Sequence, residues 1–427
     1  MRTSTYTRWL AAGVAAVALA GVAGPAAAQS GDSEVRMLRQ QMEQLQQRLQ
    51  KLESKQQETA EEVKKVVEPA VHPDKDVRLE LSGRINQGVL FADNGEESDL
   101  FVVDNDNSGS RFGLNGEADF GDWTTGTEIV VSLEVNSTDE VAFGQDDAPD
   151  TQFGDGDIGD LRQANWYIEH PGFGFLSIGQ GDEAGQDASE TDLSGTTLVA
   201  QSDVDDTAGS LQFHSETPGF ERIEEVDDFF VNLDGGRTSR VLYETPQFGG
   251  FSLRGSLSDG DGLEPAAAIN YGAEIGGYEV EAAAAWRKDN DDEDASTIHG
   301  SASILAPFGI NVTFAGGTQD PDESDADDPN FFYGKLGYRA DFFEFGDTRF
   351  SIDYFLGHNN ADFASPDGDL PKATSFGGGV VQKISPLSTE LYLGVRSYEV
   401  EDLYDGANKI EDPDTLVTVL SGARVRF

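Results

Sequence analysis

Two sets of charged residues in this 427-residue chain are spaced for work on ions. The first is a run of carboxylates: Asp182, Glu183, Asp187, Glu190, Asp192, Asp203, Asp205 and Asp206. The stretch that carries them meets its first lysine or arginine only at Arg222 and ends at Arg237. The second set is Arg84, Arg111, Arg240, Arg254, Arg396 and Arg424, each within a segment where polar and apolar residues alternate. Unopposed carboxylates concentrate cations and slow anions, and guanidinium groups do the reverse. Facing one another across a narrow, partly dehydrated gap, the two sets would make a transverse field that orders water and disfavours apolar solutes.

Other chemistries find little support. His72, His170, His214, His299 and His358 show no metal-ligand spacing, and His214-Ser215-Glu216 holds the only adjacent Ser/His pair. A nucleophile needs a base that is itself oriented by a third group, and no such set is legible, so neither an enzyme nor a cofactor is expected. Asp104-Asn105-Asp106-Asn107-Ser108-Gly109 and Gly154-Asp155-Gly156-Asp157 are oxygen-rich. Both fall short of the ligand set of a calcium loop, so no metal site is expected. The net charge of −50 opposes nucleic acid and anionic lipid as partners. Cysteine is absent, so no disulfide framework exists.

The elements that would position these groups are strands. After residue 28 no apolar run reaches the length of a membrane helix. Instead Leu79, Leu81, Ile85, Val89 and Phe91 share one parity, and Glu80, Ser82, Arg84 and Asn86 share the other. Phe251/Leu253/Leu257 against Ser252/Arg254/Ser256, and Phe350/Ile352/Tyr354 against Arg349/Ser351/Asp353, repeat the pattern. Period-two alternation is the mark of a strand with one apolar and one polar face.

The connections are asymmetric. Pro171-Gly172-Phe173-Gly174 and Ala306-Pro307-Phe308-Gly309 are short, whereas residues 136–159 and 318–330 are long, acidic and without a basic residue. Short turns at one end and long loops at the other describe an outer-membrane barrel. The expected fold is therefore all-β, an antiparallel transmembrane β-barrel over 77–427, with residues 182–237 folded into its lumen. Sixteen strands are expected, from 78–92, 110–120 and 125–136 through to 414–427. Two more hidden between Phe213 and Phe230 would make eighteen. On the lumen-facing parity acidic and basic residues balance, so the net charge must reside in the loops.

The chain ends are informative too. Arg2 and Arg8, an apolar core from Leu10 to Val22 and Ala26-Ala27-Ala28 make residues 1–28 a secretory leader. Residues 29–68 carry Val35, Leu38, Met42, Leu45, Leu49 and Leu52 at heptad spacing, continuing through Gln56, Thr59, Val63 and Val66. This pattern predicts a left-handed coiled coil, which with one helix per chain requires self-association. Cell-wall contact through this coiled coil is a further expectation, and residues 69–76 are a linker. The alternating last strand closes on Phe427, an outward-facing aromatic.

Ser110-Arg111-Phe112-Gly113-Leu114-Asn115-Gly116, Gly174-Phe175-Leu176-Ser177-Ile178-Gly179-Gln180, the stretch from Arg240 to Leu253 with Pro246-Gln247-Phe248-Gly249-Gly250, and the terminal Phe427 resemble the trimeric porins of Gram-negative outer membranes. The helix ahead of them resembles the periplasmic coiled coil of dicarboxylate-type porins. The resemblance implies sixteen strands, a homotrimer in outer-membrane lipid, a third extracellular loop folded inward, and Phe427 as an assembly signal. It implies passive diffusion of small hydrophilic solutes and ions. Gln180 stands where porins often carry arginine. On this reading Arg84 and Arg111, with Arg396 or Arg424, face Asp192, Asp203, Asp205 and Asp206. A solute-selective channel and an envelope-tethering protein are the alternatives.

Overall fold

The computed structural model describes residues 77–144, 158–260, 262–290, 295–321 and 327–427. The leader, the coiled coil with Val35, Leu38, Met42, Leu45, Leu49 and Leu52, the linker and the Gly154–Asp157 segment lie outside the described residues.

The first strand, β1 (Val77–Asp93), pairs with β2 (Ser98–Asp104) along one half and with β3 (Arg111–Phe120) along the other. β2 and β3 are thus two parts of one barrel strand, split by a 3-10 turn at Asp106–Ser108. β4 (Trp123–Leu133), β5 (Ile158–His170) and β6 (Gly174–Asp182) continue the wall in antiparallel pairs. Inside the loop that follows, β7 (Gln212–His214) and β8 (Arg222–Glu225) form a separate small sheet ahead of a helical turn, α1 (Val226–Phe229). The wall resumes with β9 (Arg237–Glu244), β10 (Phe251–Gly260), β11 (Gly262–Ile275) and β12 (Tyr278–Lys288). β13 (Ser296–Leu305), β14 (Ile310–Asp320), β15 (Asn330–Phe343) and β16 (Gly346–His358) follow. β17 (Lys372–Ile384), β18 (Thr389–Glu401), the short pair β19 (Tyr404–Asp405) and β20 (Asn408–Lys409), and β21 (Leu416–Arg426) complete the chain.

β21 pairs with both β18 and β1, so the sheet closes on itself as a 16-strand antiparallel barrel. The segment Phe213–Phe230 does not join the wall, so the count is the expected sixteen and the alternative of eighteen fails. The main surprise is β2, where polar Ser98, Asp99 and Asp104 obscure the alternation. Closure is finished by Phe427, whose N–H and C=O both bond Gly83 at 3.0 Å. A Cβ on Gly83 would lie 2.6 Å from the Phe427 ring, so glycine makes room for it.

Parity decides the two faces of the wall. Leu81, Leu253 and Phe376 are exposed on the outer face, the pattern of strands that meet lipid. The opposite parity carries small or polar residues such as Ser256, Ser301, Ser351 and Gly379. Among the described residues no helix is long and apolar enough to cross a membrane. The short turns need glycine where the chain reverses tightly. At Gly309 φ is +91°, and an added Cβ would sit 2.2 Å from the Arg339 carbonyl oxygen.

Candidate functional site

The loop between β6 and β9 enters the barrel and is fastened along the inner wall in two different ways. Its first half is held by polar groups. The N–H of Ala184 donates to Ser256 Oγ, that of Thr191 to Ser301 Oγ and that of Leu193 to Ser303 Oγ, each at 2.9 Å. Lys335 Nζ, fully buried, bonds Asp192 Oδ2 at 2.6 Å and the Ala200 carbonyl at 2.5 Å. Arg339 and Arg349 donate to the carbonyls of Ser194 and Gly195. Val199 packs where a Cβ at Gly379 or Gly394 would lie 2.6 or 2.7 Å away.

The second half is held by apolar packing. Phe213, Phe229 and Phe230 are buried with Leu90, Val103, Phe355, Tyr398 and Leu416 of the wall. The Phe230 ring stands edge-on to Tyr398 at 5.2 Å and lies 5.6 Å from Phe355. Tyr398 Oη donates to the Val204 carbonyl at 2.7 Å. This half fills the lumen near the long-loop ends of β1, β18 and β21 and leaves the passage beside β1, β3 and β5.

There a polar cavity of about 570 Å³ is lined by charges of both signs. Arg84, Arg111, Arg162, Arg237 and Arg424 of the barrel strands border it, together with Asp187, Glu190, Asp203 and Asp206 of the loop and Asp106 of the turn after β2. A second cavity, of about 360 Å³, shares Arg84, Arg111, Arg162, Arg237 and Asp187 with the first and adds Asp182, Gln163 and Arg426. Together they trace a path along the basic wall.

The arginines differ in their bonding. Arg84 Nε donates to the Gly109 carbonyl at 2.9 Å. Arg111 faces Arg84 directly as its register partner and has no ion pair among the described residues. Like charges placed opposite one another oppose strand pairing. Arg424 bonds Glu390 at 2.6 Å and also donates to Ser108 Oγ, while Arg237 pairs with Asp182 at 3.0 Å. On the loop side, burial and then the neighbouring carboxylates push Glu190 and Asp206 well above the ordinary carboxyl range. Asp187 is raised first by burial and then by Asp182 and Asp234, and Asp203 first by burial and then by Asp234.

Several expected residues stand elsewhere. Arg396 is buried against Asp353 at 2.7 Å, behind the apolar half of the loop. It shares the expected arc of wall but not the height, because its register partner is Thr418, well along β21 from Arg424. Arg240 is buried beneath the loop's base, donating to the Asp182 carbonyl at 2.8 Å and the Gly179 carbonyl at 3.0 Å. Arg254 lines a separate cavity beside Glu244, Glu281 and Asp187. Asp192 is consumed by Lys335. Burial pushes its carboxyl up, and Lys335 and Ser194 more than offset this, leaving it below the ordinary range. Asp205 sits beside Asp203, off the cavity lining, with its carboxyl raised first by burial and then by Asp203. Glu183 accepts from the Gly236 N–H at 3.2 Å and is raised by burial.

Arg162 and Asp106 are lining residues that alternation does not reveal. Arg162 is the extra residue of a β-bulge in β5, where Val130 pairs with Gln163 and Val131 with Leu161. Leu161 faces outward, and both Arg162 and Gln163 face the lumen. Asp106 sits in the turn that splits the second barrel strand. Its only sequence signal is the oxygen-rich run 104–109. The Ser189, His299 and Asp234 side chains also meet, but Ser189 Oγ and Asp234 Oδ1 both approach the same ring nitrogen, Nδ1, at 2.9 and 3.2 Å. A nucleophile and an orienting carboxylate need opposite nitrogens, so these three groups anchor the loop.

Residues 15–403 match a family model described as Gram-negative porin. No curated protein matches in sequence. Among solved structures, an anion-selective porin from Comamonas acidovorans superposes with a TM-score of 0.52 at 18% identity, covering 82% of this chain and 100% of that one. The trimer form of the outer-membrane protein OmpT from Vibrio cholerae gives 0.51 at 14% identity, covering 82% and 99%. OmpF of Salmonella typhi, in complex with daunomycin, gives 0.50 at 12% identity, covering 84% and 99%.

Proposed function

The chain belongs to the Gram-negative porin family, and from that premise we propose how its outer-membrane diffusion channel sorts solutes. Charge across the narrowest section does the sorting. One cavity of about 570 Å³ is lined by five arginines of the wall together with five carboxylates of the loop and the Asp106 turn; this observation carries the reading. Water in such a gap is aligned by the field, so a solute passes readily only if its own charges or dipoles replace that alignment. Small hydrophilic solutes and ions fit this requirement, and apolar solutes of the same size do not. The loops' large negative charge acts at the mouth, where salt screens it over roughly 8 Å at physiological strength. No catalytic step enters this function.

The active unit on this reading is a homotrimer. Support comes from the heptad pattern of residues 33–67, which would place a three-stranded coiled coil in the periplasm, and from the trimer form of the similar Vibrio cholerae protein.

Planar-bilayer recording in asymmetric potassium chloride tests the sorting. Arg84→Gln should raise the cation-to-anion permeability ratio, and Asp203→Asn should lower it. If both variants keep the wild-type reversal potential, these charges do not govern passage.

A further inference from the structure

We propose that Asp187, Glu190 and Asp234 form a binding site for a divalent cation, calcium by its chemistry, which ties the outgoing and returning legs of the inward loop together. The site goes beyond solute diffusion, because its ion is held rather than passed.

The three carboxylates come from two places in the chain. Asp187 and Glu190 follow β6, where the loop begins, and Asp234 stands just ahead of β9, where it ends. One carboxylate oxygen from each lies within 4.8 Å of the other two. Oxygens around a single calcium ion, at about 2.3–2.6 Å from it, stand no more than about 5 Å apart. The spacing therefore suits one shared ion. Asp187 and Glu190 border the cavity of about 570 Å³, so an ion can enter from the water-filled passage. Water there can complete the roughly six to eight oxygens that calcium takes.

A separate feature of Asp234 points to a ligand. Its side chain is 4% exposed, and its Oδ1 meets His299 Nδ1 at 3.2 Å and accepts from the Ser189 N–H at 3.4 Å. Its Oδ2 is buried and has no hydrogen-bond partner among the described residues. A buried carboxylate oxygen is costly unless a hydrogen bond or a cation satisfies it. His299 belongs to β13 of the wall and is itself buried. Asp234 is thus held from behind through Oδ1, and Oδ2 is left for the ion. Ligating carboxylates are commonly oriented by such hydrogen bonds from groups that do not touch the metal.

The electrostatics agree. Burial first, and then Asp203, Asp234 and Asp187, hold the Glu190 carboxyl well above the ordinary range. A divalent cation relieves such crowding without protonation. Among the described residues none of the three is ion-paired to a lysine or arginine, and Arg237 holds Asp182 at 3.0 Å instead. Carboxylate ligands select hard cations, and three adjacent negative charges favour a divalent over a monovalent one. Calcium's looser geometry suits ligands drawn from two separate segments, whereas magnesium demands a near-ideal octahedron.

Calorimetric titration of calcium chloride into the full-length protein in detergent, stripped with chelator and held in potassium chloride, tests the site. One saturable component is expected, with a dissociation constant in the range of extracellular calcium modules, roughly 10⁻⁴–10⁻³ M. Asp187→Asn, whose side chain opens on the passage, and Asp234→Asn should each weaken that component by about tenfold or more. Asp369→Asn, in another loop, should leave it unchanged. Calcium should also slow proteolysis within residues 182–236 of the wild type but not of the Asp187→Asn protein. This second readout keeps the test decisive if Asp234→Asn loosens the loop through its His299 contact. Uptake that is equally weak and unsaturable in the wild type and every variant, with no calcium effect on cleavage, would overturn the proposal. So would a saturable component that survives both Asp187→Asn and Asp234→Asn. Binding needs no ion current, so failure here is distinct from failure of solute sorting.

Discussion

The two halves of the inward loop are held by opposite means. From Asp182 to Asp206 the chain carries the carboxylates that line the passage, and its attachments are hydroxyls, carbonyls and the Lys335–Asp192 pair. From Thr207 to Asp234 it is held by Phe213, Phe229 and Phe230 in a shared core with the wall. The difference follows from what each half presents to the wall. The first half meets it with backbone N–H groups, carbonyls and Asp192, which wall hydroxyls, arginines and Lys335 satisfy. The second half is also acidic, with Glu224, Glu225, Asp227 and Asp228, but the face it buries is aromatic.

Breaking the polar anchor has the largest expected effect. Lys335→Met leaves Asp192 charged, buried and unpaired, a loss of about 3–5 kcal/mol when one partner of a buried pair is removed. The acidic half should then leave the wall, seen as larger and noisier single-channel conductance with the barrel still folded. Phe230→Ala attacks the other half and should cost about 3 kcal/mol of packing. It should speed proteolysis within residues 207–234 while changing ion selectivity little. If Phe230→Ala alters selectivity as strongly as Lys335→Met, the two halves are not independent.

Acidification sharpens the contrast with the smallest perturbation. The raised carboxyls of Glu190, Asp187, Asp203 and Asp206 take up protons at a higher pH than ordinary acids do, near 4. Their charged forms oppose the folded arrangement, so protonation favours it, and loop attachment should hold or strengthen as pH falls from neutral toward the ordinary carboxyl range. Over that descent these carboxyls lose charge before ordinary acids do, while the arginines keep theirs. The cation-to-anion permeability ratio should therefore fall, by roughly twofold or more for each charge lost. Asp192 has the opposite sign. Its depressed carboxyl contributes stability above the ordinary range, lost only as pH falls below it. Reversal potentials that stay flat over that descent would show that the cluster is not crowded enough to matter.

How far these features were legible follows from what each depends on. Strands such as β10 and β16 were plain because outer and inner residues alternate without interruption and short Gly/Pro turns bound them. Arg84, Arg111 and Arg424 followed from parity alone. Arg162 did not, because one added residue in β5 reverses the parity that would send it to lipid. β2 was missed because its strand is broken by the turn that delivers Asp106 to the lumen. Arg396 was placed on the right face and at the wrong height, since parity carries no information about register.

Face is a local property repeated every second residue, so alternation is enough to define a barrel with a basic-and-acidic interior wall and a long acidic insertion. Which charges meet is settled at longer range. That depends on the register between β18, β21, β1 and β3, on the bulge at Arg162, and on the wall hydroxyls and Lys335 that seat the loop. Each of these joins residues far apart in the chain, and no local pattern encodes their distance.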